Sequence, residues 1–130
     1  MSAENIVDFK VVRKQISNKA RGCFNKSWAL YVSKDDEDTQ RIVGYLHEYL
    51  QRKITGKGEE KFVLRYKVEW NKQLIASMFK DYIGDHDFFH RRFRVHEGLV
   101  DCIKIYYEMI DCLNDYAEKN NAPLNFYRSR

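Results

Sequence analysis

Phe62-Val63-Leu64-Arg65-Tyr66-Lys67-Val68-Glu69-Trp70 is the stretch that decides between two fold classes. Taken alternately, Phe62, Leu64, Tyr66, Val68 and Trp70 point one way, and Val63, Arg65, Lys67 and Glu69 the other. Wound as a helix, the same residues would scatter around the whole circumference. The β-branched and aromatic content favours a strand. A strand here predicts an α+β domain. A helix here would make the chain an all-α bundle, which stands as the alternative.

Working outward, a helix is expected to start at Lys72 with Asn71 as its cap. Leu74, Ile75, Met78, Phe79, Tyr82 and Ile83 give it one apolar face. Upstream, residues 39–55 read as a second helix. Asp35, Asp36, Glu37 and Asp38 would sit at its positive end, Ile42, Val43, Tyr45, Leu46, Tyr49 and Leu50 would form its face, and Gly56 would stop it. Residues 6–12 and 28–32 alternate in part and are expected to pair with 62–70, although Ile6, Phe9, Val12 and Ile16 also suit a helix face.

The C-terminal third carries the strongest period. Val95, Leu99, Cys102, Ile103, Tyr106, Met109, Ile110, Leu113, Tyr116 and Ala117 form one stripe of a long helix over 95–118. Val100, Ile105, Tyr107 and Cys112 lie outside that stripe, so the helix should pack on more than one side or meet a partner. Asn120-Asn121-Ala122-Pro123 ends it. The expected fold is helix-dominated α+β: a small antiparallel sheet packed against three helices. Residues 1–130 form a single domain, with 119–130 as a flexible tail.

The composition agrees with one globular domain of 130 residues, 44% hydrophobic and 15% aromatic. Cys23, Cys102 and Cys112 form no C-x-x-C pair, which argues against a zinc ribbon or a disulfide framework and for buried thiols. No signal pattern or membrane-length apolar run is present, so a cytoplasmic or otherwise intracellular (including nuclear) protein with no membrane association is expected. Net charge is +4, with basic excess over 1–34 and 61–94 and acidic excess over 35–60 and 95–130.

Gly84-Asp-His-Asp-Phe-Phe-His-Arg-Arg-Phe-Arg-Val-His96 is the most unusual segment. His86 and His90, four apart, could share a helix face as metal ligands with Asp85, Asp87 and Glu97. No second ligand pair accompanies them, so neither a metal nor a cofactor is expected. Arg91-Arg-Phe-Arg-Val-His96 has the spacing Arg-x4-His at the start of the long helix. This resembles the signature of the HEPN superfamily, small helical domains of which many cut RNA as dimers. The resemblance implies that Arg91 would hold a phosphate and that His96 would act at the ribose hydroxyl or stabilise the developing charge. In this sequence Arg92 stands where the family usually has a polar residue such as Asn, and Glu97-Gly98 follows the histidine.

The same arginines also suit binding without chemistry. Arg91, Arg92 and Arg94 interleave with Phe88, Phe89 and Phe93. Lys10, Arg13, Lys14, Lys19, Arg21 and Lys26 surround Phe24 and Trp28, and Arg65 and Lys67 project from the non-core side of their strand. Cations neutralise phosphates and aromatic rings stack on bases. The leading expectation is therefore a small basic, non-enzymatic accessory protein that binds nucleic acid or a nucleoprotein complex. Its contacts would be Lys14, Lys19, Arg21, Arg65, Lys67, Arg91, Arg92 and Arg94. The alternatives are the ribonuclease that the resemblance implies and a protein-binding inhibitor or adaptor. The latter, of the kind viruses and phages use, would work through Ile105 and Tyr107 of the long helix, with a homodimer as one form.

Overall fold

The computed structural model describes residues 5–17, 24–35, 37–80 and 102–129. Strands hold 51% of them and helices 28%. The elements are β1 (Val7–Ile16), β2 (Lys26–Lys34), β3 (Arg41–Ile54), β4 (Glu60–Trp70), α1 (Lys72–Phe79), α2 (Cys102–Lys119) and β5 (Leu124–Arg128). The five strands form one curled sheet in the order β4-β3-β2-β1-β5. Neighbours in the β1-to-β4 meander are antiparallel, whereas β5 runs parallel to β1. This corrects the helix-dominated expectation: the sheet is large and mixed, and two helices, not three, lie among the described residues.

The strand over 62–70 forms as expected, and so does the start of the helix behind it, over Lys72–Phe79; Tyr82 and Ile83 of its expected face lie outside the described residues. Asn71 caps α1 by accepting from the Leu74 N–H at 3.2 Å, and its amide donates to the Ile42 carbonyl at 2.8 Å. The helix is thereby tied to the start of β3. Strands also form over 6–12 and 28–32, but neither pairs with β4. Its neighbour among the described residues is β3.

The decisive difference is β3, where a helix was expected. Leu30 pairs with Gly44 and Tyr31 with Ile42, so Val43 is the extra residue of a β-bulge. Beyond the bulge, core-facing Leu46 alternates with outward Tyr45 and His47. Aromatic side chains on the outward face filled in the apolar pattern, and the bulge shifted its phase. Together they imitate steps of three and four. Gly44 was the dissenting signal, because glycine disfavours a helix interior and marks close backbone approach in strands. A Cβ at Gly44 would meet the Glu69 carbonyl oxygen at 2.9 Å and Met109 Cε at 3.4 Å.

Both helices lie on one face of the sheet. Ile105, Tyr106, Met109, Ile110, Cys112, Leu113, Tyr116 and Ala117 of α2 are buried with Phe9, Val11, Leu30, Leu46 and Phe126 of the sheet. Phe9 stacks on Phe126 with centroids 5.2 Å apart, and Phe79 of α1 meets Tyr116 edge-on at 4.9 Å. Asn121, at φ 53°, takes the left-handed turn after α2, as its place before Pro123 suggested. Residues 124–128, read from the sequence as tail, are a strand.

Asn114 of α2 fastens that strand. Val7 N–H donates to the Pro123 carbonyl and Ser129 N–H to the Val11 carbonyl, which turns the odd-numbered positions of β5 toward β1. Phe126 therefore presents its N–H and C=O at the open edge. The Asn114 side chain accepts from the first and donates to the second, each at 2.8 Å. Asn114→Ala should lower stability by about 1–3 kcal/mol, because both backbone groups are partly buried and lose their partner. Urea denaturation measures this.

Tyr106 donates to the Val11 carbonyl at 2.7 Å from the core side. Burial pushes its phenol above the ordinary value, with Arg13 partly opposing the rise. Raised in the folded state, the group leaves stability intact below the unfolded tyrosine value of about 10 and removes it as pH climbs beyond that. Denaturation curves in this alkaline range should lose midpoint with rising pH, and Tyr106→Phe should flatten that slope.

Candidate functional site

The strand alternation that fills the core also builds the opposite face of the sheet. Counting outward from buried Val11, Leu30, Leu46 and Tyr66, that face receives Lys10 and Lys14 from β1, and Ser27, Ala29 and Tyr31 from β2. It receives Tyr45, His47, Tyr49 and Lys53 from β3, and Lys61, Arg65, Lys67 and Glu69 from β4. Lys10, Lys14, Lys53, Lys61, Arg65 and Lys67 stand against only Asp8 and Glu69 among the acids of these strands' outward positions. Asp8 accepts from the Asn125 amide at 2.9 Å. The face is thus positive, and its cations lie beside rings. Arg65 pairs across the ladder with Tyr49, Lys67 with His47, and Lys14 Nζ sits 5.2 Å from the centre of the Tyr31 ring. Lys14 also donates to the Gln40 side chain at 3.2 Å.

Aromatic rings line up at one side of this face. Phe24 stacks on His47 at 4.2 Å with planes 11° apart, and Tyr45 lies nearly parallel to His47 at 5.9 Å. Phe24 meets Tyr49 edge-on at 6.3 Å. Phe24, Tyr45, Tyr49 and Tyr31 are partly exposed, while His47 is buried beneath them. Ser27 and His47 are direct cross-strand partners, and Ser27 Oγ lies 2.8 Å from His47 Nδ1. His47 Nε2 lies 3.8 Å from Glu69 Oε2.

Serine, histidine and carboxylate in a row suggest a nucleophile and its base. The geometry assigns a different task. Ser27 has no exposed surface, and the bond to it fixes the His47 ring so that Phe24 can stack on it. The arrangement stiffens a ring platform. It does not present a hydroxyl to a substrate.

Of the sequence-derived candidates, Lys14, Arg65 and Lys67 are brought together on this face. Lys19, Arg21, Arg91, Arg92, Arg94 and His96 lie outside the described residues, as do His86 and His90. Arg13 and Trp28 do not join the site. Both face the core side, where the Arg13 guanidinium sits 5.5 Å from the Trp28 ring and 5.7 Å from Tyr106, and donates to Cys102 Sγ at 2.9 Å. Of the two proposed partner contacts on the long helix, Ile105 is buried in the core. Tyr107 is exposed with the Arg128 guanidinium 4.4 Å over its ring.

Sequence reasoning missed Tyr31, Tyr45, His47 and Tyr49. The last three were assigned to a helix, and the signal that could have recovered them was Gly44. No group of three or more metal-ligating side chains occurs among the described residues, and no described helix is long and apolar enough to cross a membrane. No family model, curated protein or solved structure matches the chain.

The buried hydroxyl gives a direct check. Ser27 should remain unlabelled when the folded protein is treated with a fluorophosphonate, as read by intact mass. An adduct on Ser27 would show that His47 activates an accessible nucleophile.

Proposed function

We propose that this protein binds single-stranded nucleic acid, as a non-enzymatic accessory factor, across the face of the sheet opposite the two described helices. One observation carries the reading: Lys14, Arg65 and Lys67 share that face with partly exposed Tyr31, Tyr45 and Tyr49, each of these cations standing beside a ring or one strand away from it. Cations along a backbone and rings between them are what an unpaired strand needs. Phosphates gain from charge neutralisation, and bases gain from stacking on aromatic faces. Stacking requires that base faces be free, so the reading favours single strands over duplex. The chemistry is shared by RNA and DNA.

The HEPN resemblance implied a helical domain, and half of the described residues are strand. Its Arg91 and His96 lie outside the described residues.

Anisotropy of labelled single-stranded RNA and DNA, titrated through a salt series, tests the reading. Affinity should fall steeply with salt. Lys14→Ala and Lys67→Ala should each reduce the log–log slope by about one. Tyr31→Leu and Tyr49→Leu, which keep bulk but remove the ring, should each cost about 1–3 kcal/mol. No binding at low salt, salt-independent binding or a preference for duplex would overturn it. Cleavage of RNA that His96→Ala abolishes would instead support the ribonuclease alternative.

A further inference from the structure

The β3–β4 hairpin runs past the part of the sheet that the helices cover. On the helix side, its cross-strand pairs are Leu46 with Val68, Glu48 with Tyr66, Leu50 with Leu64, Arg52 with Phe62 and Ile54 with Glu60. The first two rungs belong to the body of the domain: Leu46 is fully buried, Tyr66 is nearly so, and the Tyr66 hydroxyl donates to Glu48 Oε2 at 3.0 Å. The next three rungs are open. Leu50 is 52% exposed, Leu64 39%, Phe62 61% and Ile54 64%. Isolated exposed apolar residues are ordinary, but here four neighbours share one face of one hairpin. A strand at a sheet edge normally carries a charge or a cover at such places. β5 has one, in Asn114.

We propose that this hairpin face is a two-fold interface with a second copy of the same chain. The charges on the face choose that occupant. Among the three open rungs the charged groups are Arg52 and Glu60, one of each sign, bonded to each other. A two-fold axis placed between Arg52 and Glu60 would set each Arg52 toward the other copy's Glu60, while Leu50, Ile54, Phe62 and Leu64 meet the same apolar set on the other copy. A partner of a single sign would leave one of the two charges facing a like charge. The lysines of the hairpin's strands do not oppose the contact, because Lys53, Lys61 and Lys67 occupy outward positions on the other face, and Lys57 lies in the turn beyond the last rung. For the same reason an anionic lipid surface fits poorly: its cations would have to flank the inserting side chains. The proposal is independent of nucleic-acid binding, and it places the cationic face of each copy away from the interface, so two faces could engage one strand with increased avidity.

Sedimentation velocity of the full chain, nuclease-treated and taken through a dilution series, is the test. The expected result is a reversible monomer–dimer equilibrium. The double variant Ile54→Lys/Phe62→Lys, at two exposed positions, should be monomeric across the same series with an unchanged circular dichroism spectrum. Arg52→Glu should weaken dimerisation at least tenfold, and adding Glu60→Arg to it should restore the dimer. A wild-type protein that stays monomeric throughout overturns the proposal, as does a dimer that persists in the Ile54→Lys/Phe62→Lys variant. Monomeric wild-type protein that floats with anionic vesicles also overturns it, in favour of a lipid surface.

Discussion

Phe9 and Phe126 stack 5.2 Å apart at the centre of the only parallel pairing in the described sheet. Much of the fold hangs on that contact. Phe79 reaches the same ring of Phe126 from α1 at 6.1 Å, and Asn114 grips the backbone of that residue from α2. Four elements, drawn from the beginning, middle and end of the chain, therefore converge on one aromatic cluster. Without β5 in place, the outer edge of β1 would be open and α2 would lose the strand it is bonded to. The cluster fixes which face of the sheet is covered. It thereby also fixes which face is left to carry Lys14, Tyr31, Tyr45, Tyr49, Arg65 and Lys67.

That division of faces explains why a small basic excess can matter. A net charge of +4 spread evenly over a domain of this size would make a weak field. Strand alternation does not spread it evenly. Every second position of β1 and β4 goes to the side opposite the described helices, and those positions are rich in lysine and arginine. The tyrosines follow the same rule on β2 and β3. The buried Ser27–His47 pair contributes indirectly, by holding one ring flat beneath Phe24. The cationic and aromatic groups share a face because of the two-residue period, and no linear motif is involved.

What the sequence disclosed follows from that period. Residues 62–70 alternate without interruption, so both the strand and the outward projection of Arg65 and Lys67 were legible. Asn71 before a clean helical period disclosed α1, and Asn121 before Pro123 disclosed the end of α2. β3 was misleading because its bulge at Val43 shifts the phase and because both of its faces carry apolar or aromatic side chains. Its acidic approach and following Gly56 also resemble helix boundaries, although these residues serve the β2–β3 and β3–β4 connections. Of the apolar residues outside the main stripe of the long helix, Ile105 and Cys112 are buried, Tyr107 is exposed and Val100 lies outside the described residues. Arg13 was misassigned because a guanidinium lying between Trp28 and Tyr106 leaves no trace in charge counts. The expected antiparallel sheet missed β5 because five residues after a helix terminator read as a tail.

The parallel closure by β5 also has a consequence during synthesis. Asp8 and Asn125, side by side across the β1–β5 ladder, are 117 positions apart in the chain. The meander of β1 to β4 is made of local hairpins and can form as it emerges, but its β1 edge must wait for nearly everything else. Throughout that interval β1 is an exposed edge of the kind that recruits other chains. Asp8 and Lys10, placed on its outward side between the apolar residues Val7, Phe9 and Val11, are the type of charge that holds such a strand in solution until its proper neighbour arrives.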